Sequence, residues 1–190
     1  MGLRLQSGGL KGSMSLVKKV KNEFFFFWCY MRSFRLRCRL KKVGKGCYFH
    51  PSNKFWGANE IIVGDNVRFT GEGRFFGGGG LRVGNNCSIG RNCTILTTSH
   101  NYKNAKSLPY DDVKNVRPVV LGDNVWVGIN VTIGPGVTVG DGAIVSYGSV
   151  VTKSIPPMAI VGGNPAAIIS ERDSEHYSRL VNVNKFYSHR

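Results

Sequence analysis

Four histidines occur in this 190-residue chain, His50, His100, His176 and His189. His100 stands apart because a regular pattern of residues ends at it and an irregular stretch, 101–118, begins. A histidine with an ordinary pKa of about 6.5 is largely neutral at cellular pH and can take the proton of an attacking hydroxyl. General-base work is therefore the chemistry this position offers, although the residue taken alone reads more simply as a turn histidine. Asp111 and Asp112 lie inside the irregular stretch, where their expected role is to keep it soluble rather than to bind a ligand. The five cysteines, Cys29, Cys38, Cys47, Cys87 and Cys93, are odd in number and form no CxxC pair. Neither a zinc ribbon nor a disulfide framework is indicated, and a reducing cytoplasm is expected.

The elements that must position His100 are legible as a repeat. From residue 121 a branched aliphatic residue recurs at every sixth position: Leu121, Val127, Ile133, Val139, Val145 and Val151. Four residues after each stands another small or apolar residue: Val125, Val131, Val137, Ala143, Ser149 and Ile155. The same frame runs back through Val83, Ile89 and Ile95, with Cys87, Cys93 and Ser99 at the fourth offset, and more weakly through Val63, Phe69 and Phe75. A two-residue slip at Leu81-Arg82 separates the blocks. A period of six is neither helical nor that of a simple strand. Three short strands joined by tight turns would close a triangular coil of about eighteen residues that hydrogen-bonds to the next, a parallel β-helix. Residues 43–156 supply about five coils. Gly, Asn and Asp at the corners tolerate the left-handed backbone such turns need. On this frame Cys87 and Cys93 are packing residues, and 101–118 is an extruded loop, longer than a compact fold keeps without a use. Counting back about one coil from His100 reaches Gly71-Glu72-Gly73, so Glu72 is a candidate partner for the imidazole or an acceptor, and reads as readily as a solvated corner carboxylate.

The hexads, with Leu121-Gly-Asp-Asn-Val-Trp-Val-Gly128, Val150-Val-Thr-Lys-Ser-Ile-Pro-Pro157 and Val161-Gly-Gly-Asn-Pro-Ala166, resemble the hexapeptide-repeat acyltransferases, in particular their galactoside, maltose and surface-polysaccharide O-acetyltransferase branch. The resemblance covers about residues 43–169. It implies an all-β, left-handed parallel β-helix and a homotrimer with active sites between subunits. It also implies acetyl-CoA as acyl donor, a carbohydrate acceptor and His100 as the catalytic base. Trp126 would flank the pantetheine arm. The backbone N–H groups of Ile129 and Tyr147 would contact coenzyme A, the former stabilising the oxyanion, and Thr152 and Lys153 would meet its nucleotide end. Basic residues expected after Asn164-Pro165-Ala166 are replaced by Ala167 and Ser170, leaving Arg172 as a substitute. Where related sugar enzymes often carry asparagine, this chain has Glu72. The family's zinc-dependent carbonic anhydrases need three histidines on neighbouring coils; His50, His176 and His189 lie in the first coil or the tail, so no metal is expected.

The charge is uneven. The chain carries +15, of which residues 1–47 hold +11. Segment 1–42 is expected to be helical, with residues 14–42 alternating basic clusters and large apolar side chains, including Phe24-Phe25-Phe26-Phe27-Trp28. The eight-residue apolar run 24–31 is too short to span a bilayer. Capping of the open first coil is the first expectation for this segment, and peripheral contact with an anionic membrane the second. No nucleic-acid reader motif accompanies the charge. Residues 170–190 are expected to form a short helical tail. The activity expected is acetyl-CoA-dependent O-acetylation of a sugar hydroxyl during bacterial surface-polysaccharide assembly, in the cytoplasm. The alternatives are N-acetylation of an amino or nucleotide sugar, and a non-catalytic β-helical scaffold or membrane-surface adaptor.

Overall fold

The computed structural model describes Trp28, residues 31–32 and residues 34–187. Short strands of two or three residues alternate inward and outward side chains, and tight corners turn the chain between them, so three parallel sheets form around one apolar axis. Face A is built from Lys42–Val43, Ile61–Val63, Leu81–Val83, Val119–Leu121 and Thr138–Val139. Face B contains Tyr48–Phe49, Arg68–Phe69, Ser88–Ile89, Trp126–Val127, Ile144–Val145 and Ala159–Gly163. Face C contains Lys54–Trp56, Arg74–Phe76, Thr94–Leu96, Thr132–Ile133 and Val150–Val151. Five complete rungs and a partial sixth make up a left-handed parallel β-helix.

Every residue assigned inward by the six-residue period from 121 to 155 is buried, as are Cys87 and Cys93. The lower rungs are filled by aromatic rings instead. Phe49 stacks on Phe69 at 5.1 Å between centroids, and Phe55 on Phe75 at 4.7 Å. Each buried ring removes enough apolar surface from water to contribute about 1.5–3 kcal/mol. At the corners asparagine takes the left-handed conformation, with φ of 55° at Asn66, Asn86 and Asn92, 58° at Asn124 and 57° at Asn130.

Rung length differs from the eighteen residues expected. The lower rungs advance by twenty, pairing Val43 with Val63 and Val63 with Val83, whereas Leu121 pairs with Val139. The extra residues sit on the corner between faces C and A, in the 3-10 turn Ala58–Glu60 and in Gly77–Gly80. That placement accounts for the slip seen at Leu81-Arg82. The excursion also begins earlier than 101. Thr98–His100 pairs antiparallel with Lys114–Val116, and Thr97, not Ser99, is the buried residue at the end of rung three. Thr97 donates its hydroxyl to the Phe76 carbonyl at 2.6 Å and accepts from the Gly79 amide at 2.8 Å, so a polar side chain is fully satisfied where the chain leaves the prism.

At the base, helical residues 34–39 lie over the first rung. Leu36 and Leu40 pack on the core, and Arg37 donates to the Cys47 carbonyl and lies over the Phe49 ring. The expected capping is present for these residues; most of 14–33 lies outside the described residues. At the top, Ala166–Glu171 pairs antiparallel with Ala159–Gly163. The expected tail helix, Ser174–Asn182, is capped by Asp173, whose side chain accepts from the His176 amide at 2.9 Å. The tail runs down the corner between faces A and B, where Asn124 donates to the Tyr177 hydroxyl at 2.8 Å.

Candidate active site

His100 is exposed on the hairpin that springs from the corner between faces C and A. Its ring stacks on Tyr110 with centroids 4.0 Å apart and planes at 22°. That contact is made by a clamp on the adjacent residues. The Asp111 carboxylate accepts from Asn101 Nδ2 at 3.1 Å, from the Lys106 amide at 3.1 Å and from the Val113 amide at 3.0 Å, while the Asp111 amide donates to the Asn101 carbonyl at 3.2 Å. These bonds, led by that from the Lys106 amide, hold the Asp111 carboxyl below the usual carboxylate range. Asp111 therefore knits the loop together, a role beyond the solubility expected of it. Residue type alone marks neither Tyr110 nor Asp111 as a functional residue. The available signal was an Asn and an Asp placed to close a loop, with the histidine and the tyrosine each one residue away.

Glu72 does not meet His100 within one chain. It occupies the corner between faces B and C and accepts from Arg91 Nη2 at 2.6 Å. An exposed ion pair of this kind contributes at most about 1 kcal/mol, so the carboxylate is not tied to its present partner.

Ile129 and Tyr147 lie on that same corner, one above the other, the Gly148 amide donating to the Ile129 carbonyl at 2.9 Å. Their own amides differ from those of the A–B corner. There, the equivalent N–H groups of Asp65, Asn85 and Asp123 donate to the side chains of Asn85, Asp123 and Asp141, one rung up in each case. On the B–C corner no group of the described residues takes the Ile129 or Tyr147 N–H, so two exposed residues, one above the other, keep unspent backbone donors beside exposed Trp126 on face B. Such donors suit a ligand with backbone-like amides and carbonyls, or a developing oxyanion.

Thr152 and Lys153 are exposed on the C–A corner, two rungs above the hairpin that carries His100. Arg172 is elsewhere: its Nε donates to the Gly142 carbonyl at 2.5 Å, against the tail, and burial lowers its pKa. The structure thus places it apart from Lys153 within one chain, with its Nε holding the C-terminal segment. Among the described residues no group of three His, Cys, Asp or Glu side chains is placed to hold a metal ion, and no helix is long and apolar enough to cross a membrane.

The family described as bacterial transferase hexapeptide (six repeats) matches residues 118–153. Among solved structures, a maltose O-acetyltransferase from Clostridium difficile 630 is 30% identical over 75% of this chain and 75% of its own, with a TM-score of 0.65. The chain is a hexapeptide-repeat acyltransferase. Two further members of the family bracket the same fold. Galactoside acetyltransferase in complex with coenzyme A is 29% identical over 77% of this chain and 72% of its own, with a TM-score of 0.70. A hexapeptide-repeat acetyltransferase from Vibrio cholerae is 28% identical over 76% of this chain and 82% of its own, with a TM-score of 0.68. The Vibrio protein has also been seen with acetyl coenzyme A. No curated protein matches the sequence.

Proposed function

We propose that this hexapeptide-repeat acyltransferase transfers an acetyl group from acetyl-CoA to a hydroxyl of a carbohydrate, in the assembly of a bacterial surface polysaccharide, with His100 as general base. The observation that carries the reading is the division of the parts. His100 stands on the C–A corner, whereas the unspent amides of Ile129 and Tyr147 stand on the B–C corner. In this reading two neighbouring prisms bring them together, in the homotrimer that the family resemblance implies, with the sites at the seams. Glu72, on the B–C corner, would then reach the imidazole or the acceptor of the adjoining protomer by releasing Arg91.

In the reaction, neutral His100 takes the hydroxyl proton as the sugar oxygen attacks the thioester carbonyl. The Ile129 N–H donates to the oxygen as negative charge develops there. Collapse of the tetrahedral species forms the ester and expels the coenzyme A thiolate, which takes the proton back from the imidazolium. The Tyr147 amide and Trp126 hold the pantetheine arm, and Thr152 and Lys153 meet the nucleotide end. The transfer runs in a ternary complex without an acyl-enzyme; Cys87 and Cys93 are buried, with thiols pushed up by burial to about 12 and about 11, and do not serve as nucleophiles. The relatives that carry maltose and galactoside in their names support a sugar acceptor.

The test is thioester consumption by purified protein against a panel of glycans and nucleotide sugars. His100→Ala should cut kcat by about 10²–10⁴-fold on a hydroxyl acceptor, the usual worth of a positioned base. Activity of His100→Ala retained at high pH on an amino sugar would overturn O-transfer in favour of N-transfer, and a monomer in solution would overturn the seam.

A further inference from the structure

We propose that the cavity at the base of the prism binds the phosphate headgroup of an anionic bilayer lipid and seats the chain on the membrane surface by its first rung. The cavity, of about 580 Å³, lies between Trp28, Met31, Arg32 and helical residues 34–39 on one side and the first rung on the other. Trp28, Arg32, Arg35 and Arg39 recur at the spacing of one helical face and all line it, as side chains three and four apart must. Opposite them stand Lys54 and Trp56. Four cations therefore meet in one concavity, and among the described residues no Asp or Glu lines it. The ion pairs among the described residues, Lys41 with Glu60 and Arg91 with Glu72, use none of the four.

The same concavity has an apolar side. Trp56 stacks on Phe76 at 4.4 Å, which fixes its indole, and Arg32 lies 5.3 Å over the Trp28 ring. Trp28, Met31 and Trp56, which line it, are all exposed, and in sequence Phe24-Phe25-Phe26-Phe27 immediately precedes Trp28. A headgroup phosphate matches arginine forks, and tryptophan is the residue that rests most readily at the boundary of headgroup and acyl chain. A free phosphate would use the guanidinium groups alone and would bury none of the exposed apolar surface of Met31 and Trp56. The bilayer accounts for both. Arg37, on the other side of the same helical segment, bonds the Cys47 carbonyl, so the cap is anchored independently of the cations that face the cavity.

The test uses the full chain in co-sedimentation with phosphatidylcholine vesicles, with and without phosphatidylglycerol. Binding is expected only with phosphatidylglycerol, weakening as salt rises. Each basic residue at a membrane surface gives about fivefold, so Arg32→Ser, Arg35→Ser and Arg39→Ser combined should weaken binding on the order of 100-fold. The three Lys replacements at these positions should keep most of it, which guards against a folding defect. A matched loss of charge, Lys18→Ser, Lys19→Ser and Lys21→Ser, should cost far less. Equal losses in the two triple variants would overturn the cavity as the site. Absent vesicle binding, with tryptophan fluorescence responding to inorganic phosphate or to duplex DNA, would overturn the lipid as its occupant.

Discussion

The outward amide of Ile129 can be moved without touching any side chain of the site. A Cβ added at Gly90 would lie 2.5 Å from the carbonyl carbon and oxygen of Gly128 and 2.7 Å from the Ile129 nitrogen, where ordinary contact begins at 3.4 Å. Backbone cannot rotate away as a side chain can, so Gly90→Ala must push the B–C corner of the rung above by up to about 0.9 Å. Overpacking of this kind costs about 1–3 kcal/mol, and at about 2–4 °C per kcal/mol for a chain of this size the melting temperature falls by several degrees. Gly84→Ala is the matched control. Its Cβ meets the Gly122 carbonyl oxygen at 2.5 Å and carbon at 2.6 Å and also the Asp123 carboxylate, a comparable collision with the rung above on the A–B corner, away from the proposed seam. Both variants should melt lower by similar amounts. Only Gly90→Ala should lose activity at a temperature where both are folded, by about 100-fold in kcat/KM, the usual consequence of misplacing a reacting group or oxyanion donor by roughly 1 Å. Thioester consumption under subsaturating acceptor reads this directly. If Gly90→Ala keeps kcat/KM within threefold of the parent, or Gly84→Ala falls as far, the Ile129 amide is not part of the reaction.

Tyr110→Ala should lower kcat severalfold while Tyr110→Phe stays near the parent, because a stacked ring contributes about 0.5–1.5 kcal/mol and the hydroxyl is not part of the stack; equal losses would move the role to the hydroxyl. Asp111 has a lowered folded-state pKa, so its ordering of the loop is present above the ordinary carboxylate range and is lost as pH falls below about 3.9 and through the folded value. Amide exchange at Lys106 and Val113 should quicken over that window, and Asp111→Ala should show fast exchange at neutral pH. In the folded protein at pH 8, Cys38, which is exposed, should alkylate rapidly, whereas Cys87 and Cys93 should not until denaturant is added; mass spectrometry of tryptic peptides decides it.

The fold was legible because a rung imposes a period that no other element shares. Leu121 to Ile155 could be assigned inward one by one, and so could Cys87 and Cys93, since a small thiol fits a narrow file as well as valine does. The length of the lower rungs was not legible: Ala58–Glu60 and Gly77–Gly80 bulge at a corner, where extra residues leave the inward pattern before and after them intact. Ser99 fitted the frame as well as Thr97. The choice between them turned on the carbonyl of Phe76 and the amide of Gly79, which only folding brings near. Counting rungs placed Glu72 one coil below His100, but phase along the axis says nothing about which corner a residue occupies. The pairing of His100 with Tyr110 depends on loop closure by Asp111, a contact between residues that no periodic rule relates.

The excursion leaves rung three at Thr97 and returns at Val119 with its ends tied, the Arg117 amide donating to the Thr97 carbonyl at 2.9 Å and Val119 to the Gly80 carbonyl at 3.0 Å. Val83 still faces Leu121 across the gap. The prism above is thus indifferent to what the socket holds. A longer, shorter or unrelated peptide that can close the same two bonds would plug in without rotating a single later strand, so the excursion is an exchangeable cassette on a stacked scaffold that stays as it is.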